Sequence, residues 1–292
     1  MNSEQKTVNG ERKEPHRGLF ITDFDGTLLR TDRTLADKDI ETLQKLGDKN
    51  IVRVIATGRS LYSLNRAVGS SLPIDYIIFS TGAGVMKYPE GDILRKIHLE
   101  PETARNTIKT LMEEKLNFMV HRPIPDNHQF AYWCFRTDET DFFRRIELYK
   151  ECSWPLDGDY GGFGPAAQLL AIVSKNRVTD LLDNLRNKLP HLTIIRTTSP
   201  LDGKSTWIEF FHPEVSKSRA ADWLAAHLGI RRENTLSVGN DYNDLDLLEW
   251  ADRRFVVDNA PQDLKDRFPV VSSNNHCGVT EAVNLWLGQK GE

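Results

Sequence analysis

Two parts of the sequence alternate between short apolar runs and amphipathic segments, which restricts the fold more than any other feature. The apolar runs end abruptly in polar residues, as buried strands do, and the segments between them place apolar residues at helical spacing. This alternation predicts a parallel sheet whose strands are connected by helices. The predicted strands are 18–22, 51–56, 75–80, 235–238 and 254–257, and the predicted helices are 34–49, 61–68, 218–228 and 245–251.

The middle of the sequence does not follow this pattern. Two apolar runs at 85–88 and 93–98 flank the turn Pro89-Glu90-Gly91-Asp92, which predicts an antiparallel hairpin that opens a second module. A stretch rich in Gly, Pro and aromatic residues at 153–165 predicts a long loop, a candidate for contact with a ligand. The other predicted elements of this α+β module are helices at 101–116, 139–150 and 176–189 and strands near 118–121, 130–136, 168–174, 192–196 and 206–211.

The predicted fold class is α/β, with a Rossmann-like parallel-sheet core and an inserted α+β domain. A chain of 292 residues is long for a single core, so two domains are expected. The core is predicted to comprise residues 18–86 and 210–292, and the inserted domain residues 87–209. Residues 1–17 are polar and charged and are predicted to form a disordered tail.

Composition and charge narrow the class of protein. With 39% hydrophobic and 27% charged residues the chain is expected to be globular, and its net charge of -4 argues against a nucleic-acid partner. The polar N-terminal segment lacks the apolar stretch of a signal peptide or membrane span, so a cytoplasmic protein without a membrane partner is expected. Cys134, Cys152 and Cys277 are widely spaced, which predicts free thiols rather than disulfides or a zinc site. The sequence gives no indication of oligomeric state.

Polar residues suited to phosphate and metal binding lie at the ends of several predicted strands and at the start of one helix. Ligands of open parallel sheets collect at the carboxyl ends of the strands. We therefore predict a single site at that edge of the sheet. The combination of these segments indicates a phosphate and metal site far more specifically than any one segment does. The residues are Asp23 and Asp25, Thr57 and Gly58, Lys217, and the segment 239–244 (Gly-Asn-Asp-Tyr-Asn-Asp).

The pair Asp23 and Asp25 indicates phosphoryl transfer. Gly26 allows the loop to bend so that the carboxylates serve one site. A divalent cation such as Mg²⁺, held by carboxylate and carbonyl oxygens, would neutralise Asp23 so that it can attack an anionic phosphate as a nucleophile. Asp25 would protonate the leaving alkoxide and then deprotonate the attacking water. The structural alternative, a solvated strand end, would have about even odds for an isolated Asp-x-Asp and falls well below that beside the other segments.

The other segments supply groups for the phosphate. Thr57 and Gly58 offer a hydroxyl and backbone N–H groups at a helix start, although a threonine there more often serves only as an N-cap. Lys217 would hold the phosphate and offset the charge of Asp23, and its structural alternative is a solvated surface lysine. The segment 239–244 carries more negative charge than a purely structural turn needs.

These segments resemble the motifs of the haloacid dehalogenase superfamily, in particular its Cof-like phosphatases with a large cap inserted after the third strand. The resemblance covers residues 18–288. It implies a phosphatase that uses Mg²⁺, in which Asp23 is the nucleophile, Asp25 the general acid and base, and Thr57 and Lys217 hold the phosphate. The matching segments are 23–29, 56–59, 215–217, 239–244, 257–260 and 278–279.

The fourth motif departs from the family pattern. Relatives commonly read Gly-Asp-x-x-Asn-Asp, whereas this sequence has Asn240 followed by an additional acid, Asp241. A neutral amide is a weaker Mg²⁺ ligand than a carboxylate, so Asp241 and Asp244 are kept as further candidate ligands. The candidate metal ligands are therefore Asp23, Asp25, Asn240, Asp241 and Asp244.

Two further segments bear on the substrate. Asn243 matches the family position that supports Lys217 and the phosphate, and it joins Thr57, Gly58 and Lys217 as a candidate substrate-binding residue. Thr81-Gly82-Ala83 stands where relatives commonly have Asn-Gly-Ala near the cap hinge, which predicts altered substrate contacts.

Substrate choice is expected to lie in the inserted cap, because the core residues touch only the phosphate, the metal and the scissile oxygen. The relatives favour hexose phosphates and similar metabolites, so a sugar phosphate is expected at the level of substrate class. Candidate cap residues are Trp154, Asp157, Tyr160, His128 and Arg136, although an ordinary core or surface role is the favoured interpretation of each.

Two other activities remain open beside the phosphatase, and a third is disfavoured. A phosphomutase would use the same phosphorylated aspartate but return the phosphoryl group to a second sugar hydroxyl. A dehalogenase would also use Asp23, but it needs no acid at the position of Asp25, so the Asp-x-Asp pair argues against it. A phosphosugar-binding regulator with weak catalysis would follow if Asn240 lowers the affinity for Mg²⁺.

Overall fold

The computed structural model describes residues 16–67, 72–157, 163–174 and 178–289, which form two β-sheets with flanking helices. The strands are β1 (Gly18–Thr22), β2 (Ile51–Ala56), β3 (Tyr76–Phe79), β4 (Gly84–Lys87), β5 (Ile93–Lys96), β6 (Phe118–His121), β7 (Phe130–Trp133), β8 (Ser153–Pro155), β9 (Gln168–Val173), β10 (Thr193–Thr198), β11 (Thr206–Phe211), β12 (Thr235–Gly239), β13 (Arg253–Val257) and β14 (Val270–Val271). The helices are α1 (Asp37–Asp48), α2 (Leu61–Ala67), α3 (Pro101–Glu113), α4 (Thr140–Leu148), α5 (Val178–Lys188), α6 (Lys217–His227), α7 (Leu245–Trp250), α8 (Gln262–Lys265) and α9 (Gly278–Gln289).

The first sheet has eight strands in the order β14-β13-β12-β1-β2-β3-β4-β5. The six strands from β14 to β3 are parallel, and the hairpin β4–β5 continues the sheet by antiparallel pairing. Side chains alternate along β1, so Phe20 packs with α1 and α9 while Leu19 and Ile21 pack with α6 and α7. Helices therefore cover both faces, as the unbroken apolar run of β1 predicts.

The second sheet has six strands in the order β10-β11-β9-β6-β7-β8. Its neighbours are antiparallel except for β7 and β8. Helices α3 and α5 cover one face, where Phe118 and Phe210 are buried. Helix α4 covers part of the other face, over Met119 and Leu170. We call the second sheet with α3, α4 and α5 the cap, and the first sheet with its helices the core.

The chain passes between the two sheets beyond residue 96 and again after residue 211. The hairpin stays in the first sheet because β4 pairs along β3. The inserted domain was predicted to begin at residue 87, but β4 spans residues 86 and 87 within the first sheet. It was predicted to end at residue 209, but β11 spans residues 209 and 210 within the second sheet.

Several elements differ from the sequence prediction. Residues 153–155 were predicted as part of a loop but form β8 beside β7, while residues 158–162 of that loop lie outside the described residues. The predicted tail also lies outside them as far as residue 15. Strand β14 and helices α8 and α9 were not predicted. In the described part of the chain, no helix has the length and apolar character needed to cross a membrane.

Candidate active site

The groups at the centre of the site come from the ends of β1 and β12 and the start of α6. Asp23 directly follows β1, and its backbone N–H donates to the carbonyl of Val238 in β12 at 2.9 Å. Lys217 is the first residue of α6, and Asp244 ends the turn that follows β12. The Nζ of Lys217 donates to Asp23 Oδ1 and to Asp244 Oδ1, each at 2.6 Å. The structure thus brings these three residues into direct contact.

The cluster of Asp23, Lys217 and Asp244 is buried, and it contains two carboxylates but only one ammonium group. Lys217 and Asp244 are 0% exposed, and Asp23 is 4% exposed. Burial, followed by the charge of Asp244, raises the pKa of Asp23 to about 7. Burial alone would lower the pKa of Lys217, but the two carboxylates outweigh it and raise that pKa above its ordinary value. With two carboxylates and one ammonium group, the cluster favours the binding of a further cation.

Asp244 also shapes the turn after β12. Its Oδ2 accepts hydrogen bonds from the backbone N–H groups of Asn240 at 2.8 Å and Asp241 at 3.1 Å. Gly239 permits this close packing, because a Cβ there would lie 2.6 Å from the Cβ of Asp244. Both carboxylate oxygens of Asp244 therefore have protein partners, and the residue positions Lys217 and the turn.

The side-chain amide of Asn240 faces three oxygen atoms beside this cluster. Its inward atom lies 3.1 Å from Asp23 Oδ2, 3.2 Å from the Asp25 carbonyl oxygen and 3.0 Å from Thr27 Oγ1. With the amide oxygen inward, the Thr27 hydroxyl donates to it. With the amide nitrogen inward, its N–H groups face three acceptors. The Asn240 side chain therefore points either an oxygen, which can bind a metal, or an N–H group, which can donate a hydrogen bond, toward Asp23 Oδ2.

The oxygen-inward arrangement fits a hard divalent cation. Oxygen ligands of octahedral Mg²⁺ lie roughly 3 Å from one another when each is about 2.1 Å from the metal. The inward atom of Asn240 has such spacings to Asp23 Oδ2 and the Asp25 carbonyl. Among the residues that the structure describes, no three His, Cys, Asp or Glu side chains converge to hold a metal. A cation here therefore depends on an amide and a carbonyl oxygen in addition to Asp23.

The carboxylate of Asp25 is paired with Arg59, a residue that the sequence analysis left without a role. Arg59 Nε donates to Asp25 Oδ2 and Arg59 Nη2 to Asp25 Oδ1, both at 2.6 Å. The guanidinium also lies over the ring of Phe24, 5.6 Å from its centroid. Burial lowers the pKa of Arg59, but its hydrogen bonds with Asp25 outweigh burial and raise that pKa. This two-point contact fixes the orientation of the Asp25 carboxylate.

Thr57, Gly58 and Asn243 lie together at one side of the site. The Oγ1 of Thr57 accepts from the Arg59 N–H at 3.1 Å, a contact within the turn after β2, since α2 begins only at Leu61. A Cβ placed on Gly58 would lie 3.5 Å from Thr81 Oγ1 and 3.8 Å from Asn243 Nδ2. Thr81 has a φ of 58°, a left-handed conformation that is unusual for a β-branched residue and is typical of functional sites.

Asp241 faces the cap rather than Asp23. Its Oδ2 accepts from the Thr198 N–H at 2.9 Å, and its Oδ1 accepts from the Thr198 hydroxyl at 3.2 Å and the Tyr242 N–H at 2.8 Å. The guanidinium of Arg196 lies over the ring of Tyr242, 4.3 Å from its centroid. Asp241 was predicted as a candidate metal ligand, and its carboxylate connects the turn after β12 to β10 of the cap.

The cap residues singled out from the sequence are dispersed. The ring of His128 stacks on Tyr62 of α2, with centroids 4.4 Å apart, so it lies where the cap meets the core. Trp154 packs instead with the cluster under α3 and α5, on the opposite face of the cap sheet. Arg136 and Asp157 are exposed, and Tyr160 lies outside the described residues.

The sequence analysis missed three buried polar residues of the cap sheet, His121, Gln168 and Glu209. Burial raises the pKa of Glu209 to about 7, and a hydrogen bond from Thr197 and the charges of Arg145 and Lys217 oppose that rise. Glu209 alternates along β11 with Ile208 and Phe210, so it lies on the face of the cap sheet opposite α3 and α5. The usable signal was an ionisable or amide side chain within an otherwise apolar strand.

Comparison with known proteins identifies the family. The profile of the haloacid dehalogenase-like hydrolases matches residues 20–283 of the sequence. The chain belongs to this family. A similar sequence is the HMP-PP phosphatase of Enterobacter sp. (strain 638), which is 27% identical over 283 residues, covering 93% of this chain and 96% of that protein.

Solved haloacid dehalogenase-like structures share the fold. A phosphatase of the haloalkanoate superfamily from Bacteroides thetaiotaomicron has a TM-score of 0.73 at 19% identity, covering 97% of this chain and 98% of that one. A subclass IIB sugar phosphatase has a TM-score of 0.70 at 18% identity, covering 92% and 98%. The predictions of this family, of an α/β core with a cap and of a phosphoric monoester hydrolase are therefore confirmed.

Proposed function

We propose that this haloacid dehalogenase-like hydrolase is a Mg²⁺-dependent phosphatase that transfers the phosphoryl group of a small phosphorylated metabolite first to Asp23 and then to water. The observation that carries the proposal is the buried Nζ of Lys217, which donates to Asp23 and to Asp244 at 2.6 Å each, beside the inward amide of Asn240. A carboxylate held in this way is oriented for attack, and it lies where an added cation would offset its charge.

The chain's own groups suit both chemical steps. In the first, a carboxylate oxygen of Asp23 forms a bond to phosphorus, the ester oxygen leaves, and a proton from Asp25 completes the alcohol. In the second, water attacks the phosphorylated aspartate and gives its proton to Asp25, so that inorganic phosphate leaves. The two hydrogen bonds from Arg59 hold the Asp25 carboxylate in one orientation for both steps.

The phosphate would be held on two sides. Lys217 supplies a buried positive charge, and Thr57, Gly58 and Asn243 supply a hydroxyl, a backbone N–H and an amide at the adjacent side. Mg²⁺ would be held by Asp23, the carbonyl of Asp25 and Asn240, and when bound it would neutralise charge on Asp23 and the phosphate. This proposal leaves Asp241 and Asp244 out of the metal shell, and it is supported by the hydrogen bonds that their carboxylates accept from Thr198 and from the turn after β12.

A sugar phosphate is the substrate class that we favour. One structural neighbour is named as a sugar phosphatase and the curated relative as an HMP-PP phosphatase, so both act on small phosphorylated compounds. The test is a panel of phosphorylated metabolites with release of inorganic phosphate as the readout, which also separates hydrolysis from mutase activity. We expect turnover that EDTA abolishes and added Mg²⁺ restores. If no ester is hydrolysed in Mg²⁺, the phosphatase proposal fails.

Replacement of Asn240 by Asp should strengthen metal binding. A carboxylate adds a charged ligand in place of a neutral one, so we expect the dissociation constant for Mg²⁺, measured by titration calorimetry, to fall about tenfold. In EDTA the variant should unfold at a lower temperature than the wild type, because three carboxylates then share the single ammonium of Lys217. Added Mg²⁺ should remove that difference. Unchanged affinity together with unchanged stability in EDTA would place the metal away from Asn240.

A further inference from the structure

The half of the cap sheet that faces the core carries a row of polar side chains. His121 at the end of β6 lies opposite Gln168 in the β6–β9 register. The amide of Gln168 donates to Glu209 Oε1 at 3.4 Å, and the hydroxyl of Thr197 donates to Glu209 Oε2 at 3.2 Å. The row therefore runs across four neighbouring strands, and we call His121, Gln168, Glu209 and Thr197, with Asn127 beside His121, the ceiling.

Both ends of the ceiling are attached to loops of the catalytic site. At one end, the Asn127 Nδ2 donates to Ser80 Oγ at 2.7 Å, in the turn after β3 that also holds Thr81. At the other end, Thr198 donates to Asp241 in the turn after β12. Between these attachments, Glu209 lies on the face of the cap sheet opposite α3 and α5, because it alternates along β11 with Ile208 and Phe210 of that face. The ceiling thus lies across the catalytic centre, on the side where the group esterified to the phosphate must sit.

Two ceiling atoms and one atom of the core are buried without a protein partner: His121 Nε2, Asn127 Oδ1 and Thr81 Oγ1. Their residues are between 0% and 3% exposed. The Nδ1 of His121 must donate to the Asn127 carbonyl at 2.8 Å, since a carbonyl can only accept. Burial lowers the pKa of His121 to about 3, so the ring is neutral and its Nε2 is an acceptor.

Buried polar atoms in native proteins nearly always have partners, so these atoms require water or a ligand. Of these atoms, His121 Nε2 and Asn127 Oδ1 accept hydrogen bonds, as the Glu209 carboxylate does, and the Thr81 hydroxyl can accept or donate. Arg145, whose guanidinium lies 4.5 Å from the ring centroid of Trp207, also has a buried Nε without a partner, and this donor lies outside the ceiling. The ceiling therefore offers acceptors to whatever lies below it.

We propose that the ceiling binds the leaving group of the substrate by accepting hydrogen bonds from its hydroxyl or amino groups, with Glu209 and His121 as the residues that determine specificity. This inference rests on the proposed phosphatase function and narrows its substrates to esters whose alcohol carries such donors. It accounts for buried acceptors that the transfer of the phosphoryl group itself does not use.

The test compares two kinds of ester in the full-length protein with Mg²⁺. Hexose phosphates and amino alcohol phosphates carry donors on the leaving group, whereas p-nitrophenyl phosphate carries none. Glu209→Gln keeps the shape of the side chain but turns one acceptor into a donor, and His121→Phe removes the Nε2 acceptor. Glu113→Gln, on the exposed side of α3, is the matched control. Thermal unfolding checks that each variant is folded. If His121→Phe does not fold, the comparison of the two kinds of ester in Glu209→Gln alone is enough for the test.

We expect the wild type to prefer a donor-bearing ester, and kcat/KM for that ester to fall about tenfold or more in the variants, mainly through KM. Turnover of p-nitrophenyl phosphate should change less than about twofold, the factor expected when no hydrogen bond is lost. A wild-type preference for p-nitrophenyl phosphate, or an equal loss for both kinds of ester, would overturn the role of the ceiling while leaving the phosphatase intact. Absence of turnover for every ester would instead overturn the proposed function, and this inference with it.

Discussion

Asp23→Asn should abolish turnover, lowering kcat by a factor of about 10³ or more, because an amide cannot take up the phosphoryl group. The same change should not destabilise the fold. Burial and Asp244 raise the pKa of Asp23 above its unfolded value, so its ionised form costs stability at neutral pH. The variant would leave Lys217 paired with Asp244 alone, and its unfolding temperature in EDTA should be equal to that of the wild type or higher.

The control for this variant is Asp48→Asn, at the exposed end of α1, which should keep full activity. Activity and stability are measured on the same preparations, so a loss of turnover cannot be attributed to unfolding. Turnover by Asp23→Asn within tenfold of the wild type would rule out Asp23 as the nucleophile.

Lys217→Met should lose both activity and stability. The variant leaves two buried carboxylates without their shared ammonium, and breaking a buried ion pair costs about 3–5 kcal/mol. The methionine has a similar length, so little packing is lost. Denaturant unfolding in EDTA should show this loss of free energy, and kcat/KM should fall in Mg²⁺ because the phosphate loses a buried positive charge.

A second substitution separates these two effects. Asp244→Asn in the Lys217→Met background removes one of the unpaired charges, while the new amide oxygen can still accept from the turn after β12. The double variant should recover part of the lost stability and none of the activity. A stability loss below about 1 kcal/mol for Lys217→Met would show that the cluster is not held by charge pairing.

The core of the site was predictable because its signals are local. An apolar run that ends in acidic residues specifies a buried strand and its functional end, so Asp23 could be placed from its immediate neighbours. The start of α6 at Lys217 follows from the N-cap Ser216, whose side chain accepts from the Arg219 N–H. The parallel order of the strands then determines that these ends meet at one edge of the sheet.

The remaining contacts depend on partners that are distant in sequence. Asp241 is held by Thr198 on another domain, and Asp25 by Arg59 after the next strand, so neither pairing has a local signature. Glu209 did have a signal, since an acid within an apolar strand needs a buried partner or a ligand. Trp154 was a candidate because it lies near glycines in a predicted loop, and the core role favoured for it agrees with its packing against the far side of the cap.

The phosphorylated intermediate gives the most direct test of Asp23 as the nucleophile. Acid quenching during turnover, followed by borohydride reduction, converts a phosphorylated aspartate into homoserine, which peptide mass spectrometry locates. We predict homoserine at position 23 in the wild type during turnover and none in Asp23→Asn. Reduction at another residue, or a quenched enzyme in full turnover without any modified aspartate, would contradict transfer of the phosphoryl group to Asp23.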